Sequence, residues 1–475
     1  MDNSSLLKKN RFQINGLNSK SLGVILSLIS FFIFAAVLKK TTSGIYKYIF
    51  LLPFMFALIN IIFINIYNKL TLITFIVVFV EFVRYVITPL ILMIEGYPKG
   101  LYTYVYDENI IYNTTLIMMI EIIIIYSVLY IFRNYSNTKI NEKAFFMKIM
   151  RNENCASFSF FSFVIVSFTI FLFLIFPDCK NIYHFIFLDD LSNNIINNLD
   201  SLPKGIGWLA NLLGDMSKCI ISEYMIIRFY KKYNKKQNLK YIVFSVLFIL
   251  INALFVTSSL VVSMLPSVVF LFQVYIFYPK YRKLFLIFGF TMGIGVFIII
   301  IFNHIGTALT YHSFSQMIQD YTNGYYCIYQ AQCAYLHVDL GFLDKIQMLF
   351  IGDGIANISP FNIFFNTVNS SNIYNYYLYG MKFNGGAVLP FVSQWVYYFT
   401  PIIGPLFSSI PIILAKTLEK KWYNCNGNFL FSGIASLVFA LAPFMYNMPT
   451  IIHIFTIFVI PLWITLKINS KIILK

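Results

Sequence analysis

Charge is what this chain has least of. Only 11% of its 475 residues are Asp, Glu, Lys or Arg, against about a quarter in a soluble domain, which excludes an ordinary water-facing surface. Cysteine is scarce too. The six present form no CxxC pair and no Cys/His ligand spacing, so no metal site and no disulfide framework is expected. One disulfide among Cys179, Cys327 and Cys333 stays open, but Cys327 and Cys333 point to different faces of any regular helix that carries both. No internal repeat is visible, which weighs against an inverted-repeat transporter. No cleavable signal peptide is evident: the first apolar run follows a polar stretch and lacks a small-residue cleavage pattern, so it reads as a signal anchor.

What is present is apolar. Hydrophobic residues make up 59% of the chain and the mean hydropathy is +0.74. That composition predicts an all-α, polytopic integral membrane protein, a single membrane domain over 1–475. A spanning helix needs about 20 apolar residues. Twelve runs qualify, near 21–38, 48–67, 70–94, 110–132, 156–176, 205–229, 241–257, 260–278, 284–303, 391–415, 429–446 and 450–467.

The net charge of +16 is a topology signal rather than a nucleic-acid footprint. With both termini cytoplasmic, about 25 of the 35 basic residues fall inside and about 8 outside, in line with the positive-inside rule. "RFYKKYNKKQNLK" (228–240) and "KTLEKK" (416–421) both fall inside. Lys39 and Lys40 are discordant, placed outside. The same topology leaves one long outer loop, about 304–390, and loops of that length are usually functional. Within it, 313–336 is expected to form one or two short helices resting at the interface. Pro390 is expected in the first turn of the tenth span, where its missing N–H costs nothing.

Several ionisable residues sit at membrane depth. In "EFVRYVITPL" (81–90), Glu81 and Arg84 are one turn apart on one helix face. At about 1.5 Å per residue Arg84 lies in the outer third of the bilayer. A guanidinium there suits a phosphate or pyrophosphate whose lipid tail lies in the membrane; the alternative is an intrahelical pair that serves packing. Glu121, Asp215 and Lys218 lie deeper and read first as a buried structural network, second as the lining of a polar cavity. All five histidines, His184, His304, His312, His337 and His453, fall on or near the outer side. A base for a sugar hydroxyl would come from His312, Asp320, His337, Asp339 or Asp353 on the long loop; spacing does not choose among them. Tyr325 and Tyr376, with their neighbouring tyrosines, suit sugar stacking or an aromatic belt at the membrane interface.

With these features the chain resembles the O-antigen or oligosaccharide repeat-unit polymerases (Wzy type). The shared features are a dozen spans, a late long outer loop, "RYVITPL" (84–90) in an early span, and the Gly- and aromatic-rich "GGAVLPFVSQWVYYFTPIIGPLF" (385–407). Unlike some of these polymerases, the outer loops here contain no arginine, only lysines such as Lys345 and Lys382. The resemblance implies transfer of a growing glycan from undecaprenyl pyrophosphate to an incoming lipid-linked repeat unit, on the outer leaflet of the bacterial inner membrane. It implies no cofactor, and it leaves room for a chain-length regulator protein as partner besides membrane lipid. Arg84 would meet the pyrophosphate, positioned by Glu81 and assisted by Lys218 or Lys382. His312, Asp320 or Asp353 would take the acceptor proton, and Tyr325 and Tyr376 would contact sugar. A lipid-linked oligosaccharide flippase and an O-antigen ligase remain the alternatives.

Overall fold

The structure, a computed structural model, describes residues 19–40, 44–98, 106–135, 160–182, 184–185, 205–256, 260–308, 314–336, 338, 340–358, 368–379, 388–423 and 429–472. Among them the chain is almost wholly helical; the strands are one two-residue antiparallel pair, His184–Phe185 with Phe255–Val256. Among the described residues four helices are long and apolar enough to cross a membrane: Lys20–Lys40, Leu72–Ile94, Glu108–Asn134 and Met448–Asn469. The chain is an all-α membrane protein.

Local chemistry sets the helix ends. Asp107 opens the Glu108–Ile131 helix, its Oδ1 accepting from the backbone N–H of Asn109 at 2.7 Å and of Ile110 at 3.4 Å. Thr71 opens the Leu72–Phe82 helix, its Oγ1 accepting from Thr74 N at 3.3 Å. Lys39 and Lys40, discordant by charge topology, occupy the last turn of the Ser19–Lys40 helix, where the helix dipole favours cations.

The arginine helix is not regular. Leu72–Phe82 is α-helical, Val83–Ile87 is a π turn, and Thr88–Ile94 is α-helical again. Pro89 accounts for the change. It has no N–H to return to the preceding turn, so the ladder slips by one residue and the Thr88 N–H bonds Val83 O instead. The Thr88 hydroxyl also donates to Val83 O, at 3.0 Å. The same pairing recurs at the π turn Phe455–Val459, with Pro461 just beyond.

The expected tenth span over 391–415 is a correction. The chain runs helical over Phe391–Tyr398, breaks at Phe399, turns tightly over Gly404–Ser408, and resumes as Ser409–Tyr423. Pro401 and Pro405 explain the break, because neither can donate to a helical ladder. Gly404 is required where it stands: a Cβ there would lie 2.6 Å from the Val396 backbone.

The chain divides into two compact units. The first comprises Met1–Ile140, Thr310–Tyr423 and Phe439–His453; the second comprises Asn141–Leu309, Asn424–Val438 and Ile454–Lys475. In the second, the Ile206–Lys236 helix packs against Phe160–Ile175, Lys240–Leu254 and Leu260–Phe277. Thr169 and Ser217 hydroxyls meet there at 2.7 Å, and the Tyr230 ring stacks on Phe277 at 4.2 Å.

Candidate functional site

In the first unit Arg84 sits in the π turn and is fully buried. Its Nη1 forms an ion pair with Glu121 Oε2 at 2.8 Å, from the neighbouring Glu108–Ile131 helix. Its Nε donates to Asn323 O at 3.0 Å. The guanidinium carbon lies 5.6 Å from the Tyr85 ring centre and 5.9 Å from that of Phe444. Glu121 Oε1 accepts from Ser408 Oγ at 3.0 Å. Two buried charges are costly unless paired and hydrogen-bonded; here the ion pair is made and Arg84 Nε and Glu121 Oε1 are hydrogen-bonded, while Arg84 Nη1, Arg84 Nη2 and Glu121 Oε2 have no hydrogen-bond partner among the described residues.

Glu81 does not hold Arg84. It is fully buried one turn before the arginine, but neither carboxylate oxygen has a hydrogen-bond partner among the described residues. The sequence paired the two because they are neighbours on one helix. The π turn re-aims Arg84 and lets Glu121 reach it from another helix.

The segment 313–336, expected as short helices resting at the interface, contains two helices packed as a largely buried hairpin, Phe314–Thr322 and Tyr325–Leu336. Its turn is "TNG". Asn323 takes a left-handed φ of +48°, which asparagine tolerates. Gly324 follows, and a Cβ there would lie 2.7 Å from Gln319 Cγ and 3.1 Å from Gln319 Cα. Gln319 Oε1 accepts from Tyr326 N at 2.8 Å and so caps the second helix. Glu95, at the end of the arginine helix, accepts from Ser315 N at 3.2 Å with both oxygens and caps the first. These contacts seat the hairpin against the arginine helix and bring the Asn323 carbonyl to Arg84.

Asp320 lies on this hairpin and is exposed. Its Oδ1 accepts from Gln316 Nε2 at 2.8 Å and from the Cys327 thiol at 3.5 Å. Protein crowding around the carboxyl pushes it up to about 6, against those two hydrogen bonds. Of the expected bases, Asp320 is thus joined to the arginine through a single turn of chain.

Asp353 is a different case. It is fully buried and engaged on every side: Oδ1 accepts from Ser370 N at 2.9 Å, and Oδ2 accepts from Ser370 Oγ at 2.7 Å, Gln394 Nε2 at 2.6 Å and the Tyr398 hydroxyl. Gln394 Oε1 in turn accepts from Met448 N at 2.9 Å. A carboxylate so enclosed ties segments together rather than taking a proton from a ligand.

Tyr325 is buried, and its hydroxyl lies 3.0 Å from Ile45 O and 3.3 Å from Ile111 O. Its ring is packed in protein and not offered to a sugar. Tyr376, on the Ser370–Tyr379 helix, is exposed. Lys218 belongs to the second unit; it pairs with Asp215 at 3.7 Å and donates to Phe255 O at 2.8 Å. The Arg84 cluster is built from first-unit residues, and Asp215 with Lys218 belongs to the second unit. His312, Lys382, His337 and Asp339 lie outside the described residues. Cys179, Cys327 and Cys333 are buried thiols and form no disulfide among the described residues.

Sequence reasoning missed a second buried pair. Lys416 and Glu419, read as part of a cytoplasmic basic run, are both buried. The Lys416 ammonium donates to Glu419 Oε2 at 2.5 Å, Thr71 Oγ1 at 2.8 Å and Thr74 Oγ1 at 3.1 Å. Glu419 Oε1 accepts from Ile73 N at 3.0 Å. The available signal was their i, i+3 spacing beside an apolar run. This pair clamps the start of the arginine helix, while Glu121 and Asn323 hold its π turn.

Comparison with protein-family models, with curated proteins and with solved structures returns no match for this chain.

Proposed function

We propose that this chain is a membrane glycosyltransferase of the repeat-unit polymerase type. In this reading it has about twelve spans with both termini cytoplasmic and acts on the outer leaflet of a bacterial inner membrane. The observation that carries the proposal is the Arg84–Asn323 contact: a guanidinium on the candidate span Leu72–Ile94 is met by the hairpin that also carries Asp320. A polymerase needs a cation at a lipid pyrophosphate and a base near an acceptor hydroxyl, and the two residue types stand on either side of one turn.

The chemistry follows from these placements. The acceptor hydroxyl oxygen attacks the anomeric carbon of the lipid-linked donor. The bond from that carbon to the pyrophosphate oxygen breaks, and its electron pair leaves with the lipid pyrophosphate. Arg84 exchanges Glu121 for phosphate oxygens and stabilises the charge that develops there, often the largest catalytic term. Asp320 takes the hydroxyl proton. Glu121 is the resting counter-ion, the role the sequence suggested for Glu81. Undecaprenyl-pyrophosphate-linked oligosaccharides are the substrates in this reading, and a chain-length regulator is a possible partner.

The test is a polysaccharide ladder gel from a strain lacking this gene. Core carrying one repeat unit, with long chains restored by the wild-type gene, is the expected result. Absence of all surface repeat units would instead indicate a flippase or a ligase.

A further inference from the structure

We infer that the segment Phe342–Gly352 is a membrane-interface anchor whose partner is the acyl region of the bilayer. It is a short helix, Phe342–Gln347, continued by a π turn, Met348–Gly352. At about 100° per residue its side chains fall into three sectors. Phe342, Leu343, Ile346 and Phe350 share one arc, and Phe342, Leu343 and Phe350 are 76%, 78% and 63% exposed. Met348 and Gly352 are buried, and Lys345 holds its ammonium 4.7 Å over the Tyr397 ring. Asp344 and Gln347, exposed and polar, mark the third sector, with the half-buried Ile351 between them.

No single surrounding suits all three sectors. Water would leave four large apolar side chains exposed in one contiguous arc. A spanning position would place Asp344 and Gln347 in hydrocarbon. A helix lying in the interface plane satisfies both, its apolar arc among acyl chains and its polar arc in water. Lipid is the occupant because the rest of the molecule already presents such surface to it: Phe32, on the apolar Lys20–Lys40 helix, is 75% exposed, as much as Leu343. Leu336 and Ile355, flanking the segment, are exposed and apolar as well.

The anchor has a structural consequence. Asp353 follows it directly, and its N–H donates to Met348 O at 2.7 Å. A Cβ on Gly352 would lie 2.4 Å from Val368 O, so the end of the segment is pressed against the chain entering the Ser370–Tyr379 helix. Bilayer contact thereby sets the depth of the Asp353–Ser370–Gln394 network. This inference stands apart from the polymerase reading.

The test uses full-length protein in phosphatidylethanolamine/phosphatidylglycerol vesicles. Leu343→Cys and Gln347→Cys variants carry a nitroxide, and the unsubstituted protein taken through the same labelling gives the background from native thiols. At 343, collisions with oxygen should exceed those with a water-soluble nickel chelate; at 347 the order should reverse. Nickel dominating at 343 would overturn the proposal. So would exclusion of both reagents, which means protein, such as a second copy of the chain, covers the face. A Phe350→Trp variant in brominated lipid provides a second readout, with quenching expected and its absence contradicting the anchor.

Discussion

Arg84 pairs with Glu121 across two helices at 2.8 Å, while Glu81, one turn away on its own helix, accepts no hydrogen bond among the described residues. The two acids are therefore not equivalent. Glu121→Gln leaves a buried guanidinium without its counter-ion and should destabilise the protein by about 3–5 kcal/mol. Glu81→Gln removes no such partner and should cost clearly less. Thermal unfolding of the two purified variants in detergent checks the order.

Gly324→Ala tests the turn that carries Asn323. The added Cβ meets Gln319 Cγ at 2.7 Å and Gln319 Cα at 3.1 Å. Relief moves the turn away from Arg84, at a cost of about 1–3 kcal/mol typical of overpacking. Long-chain product should fall while protein level stays near normal, as read by ladder gel and immunoblot.

Asp320 as the proposed base predicts a pH dependence. Its carboxyl is raised to about 6, and a base must be ionised to act. Activity in membrane vesicles should therefore be lost as pH falls through about 6 and be full above it. Asp320→Asn should abolish turnover across the range. An acid limb that stays near 4 would remove Asp320 from the role.

Asp353→Ala should behave as a structural variant. It leaves Ser370, Gln394 and Tyr398 without their shared acceptor, at roughly 1–3 kcal/mol for each donor left unpaired in the interior. The expected result is low protein level and a lowered unfolding temperature, with Asp353→Asn milder.

The helical class and the presence of helices able to cross a membrane were legible because apolar length is a property of contiguous sequence. Glu81 with Arg84 shows where that legibility stops. Spacing along one helix is visible in a sequence; the Pro89-driven π turn and the approach of Glu121 from another helix are not. Lys416 and Glu419 failed for a related reason: in a run of lysines, one that turns inward to a threonine pair looks like its neighbours. Tyr325 belonged to a tyrosine-rich stretch with two readings, and only the carbonyls of Ile45 and Ile111 decide that it is core. Asp320 was one of several loop acids until the hairpin closed on Arg84.

The most direct test of the Arg84 centre is a ladder gel from the null strain carrying Arg84→Gln combined with Glu121→Gln. The double variant removes the paired charges together, so neither member of the pair is left buried without the other. Normal protein level with core plus a single repeat unit is the expected result. A full ladder of long chains at that level would contradict a functional role for the arginine.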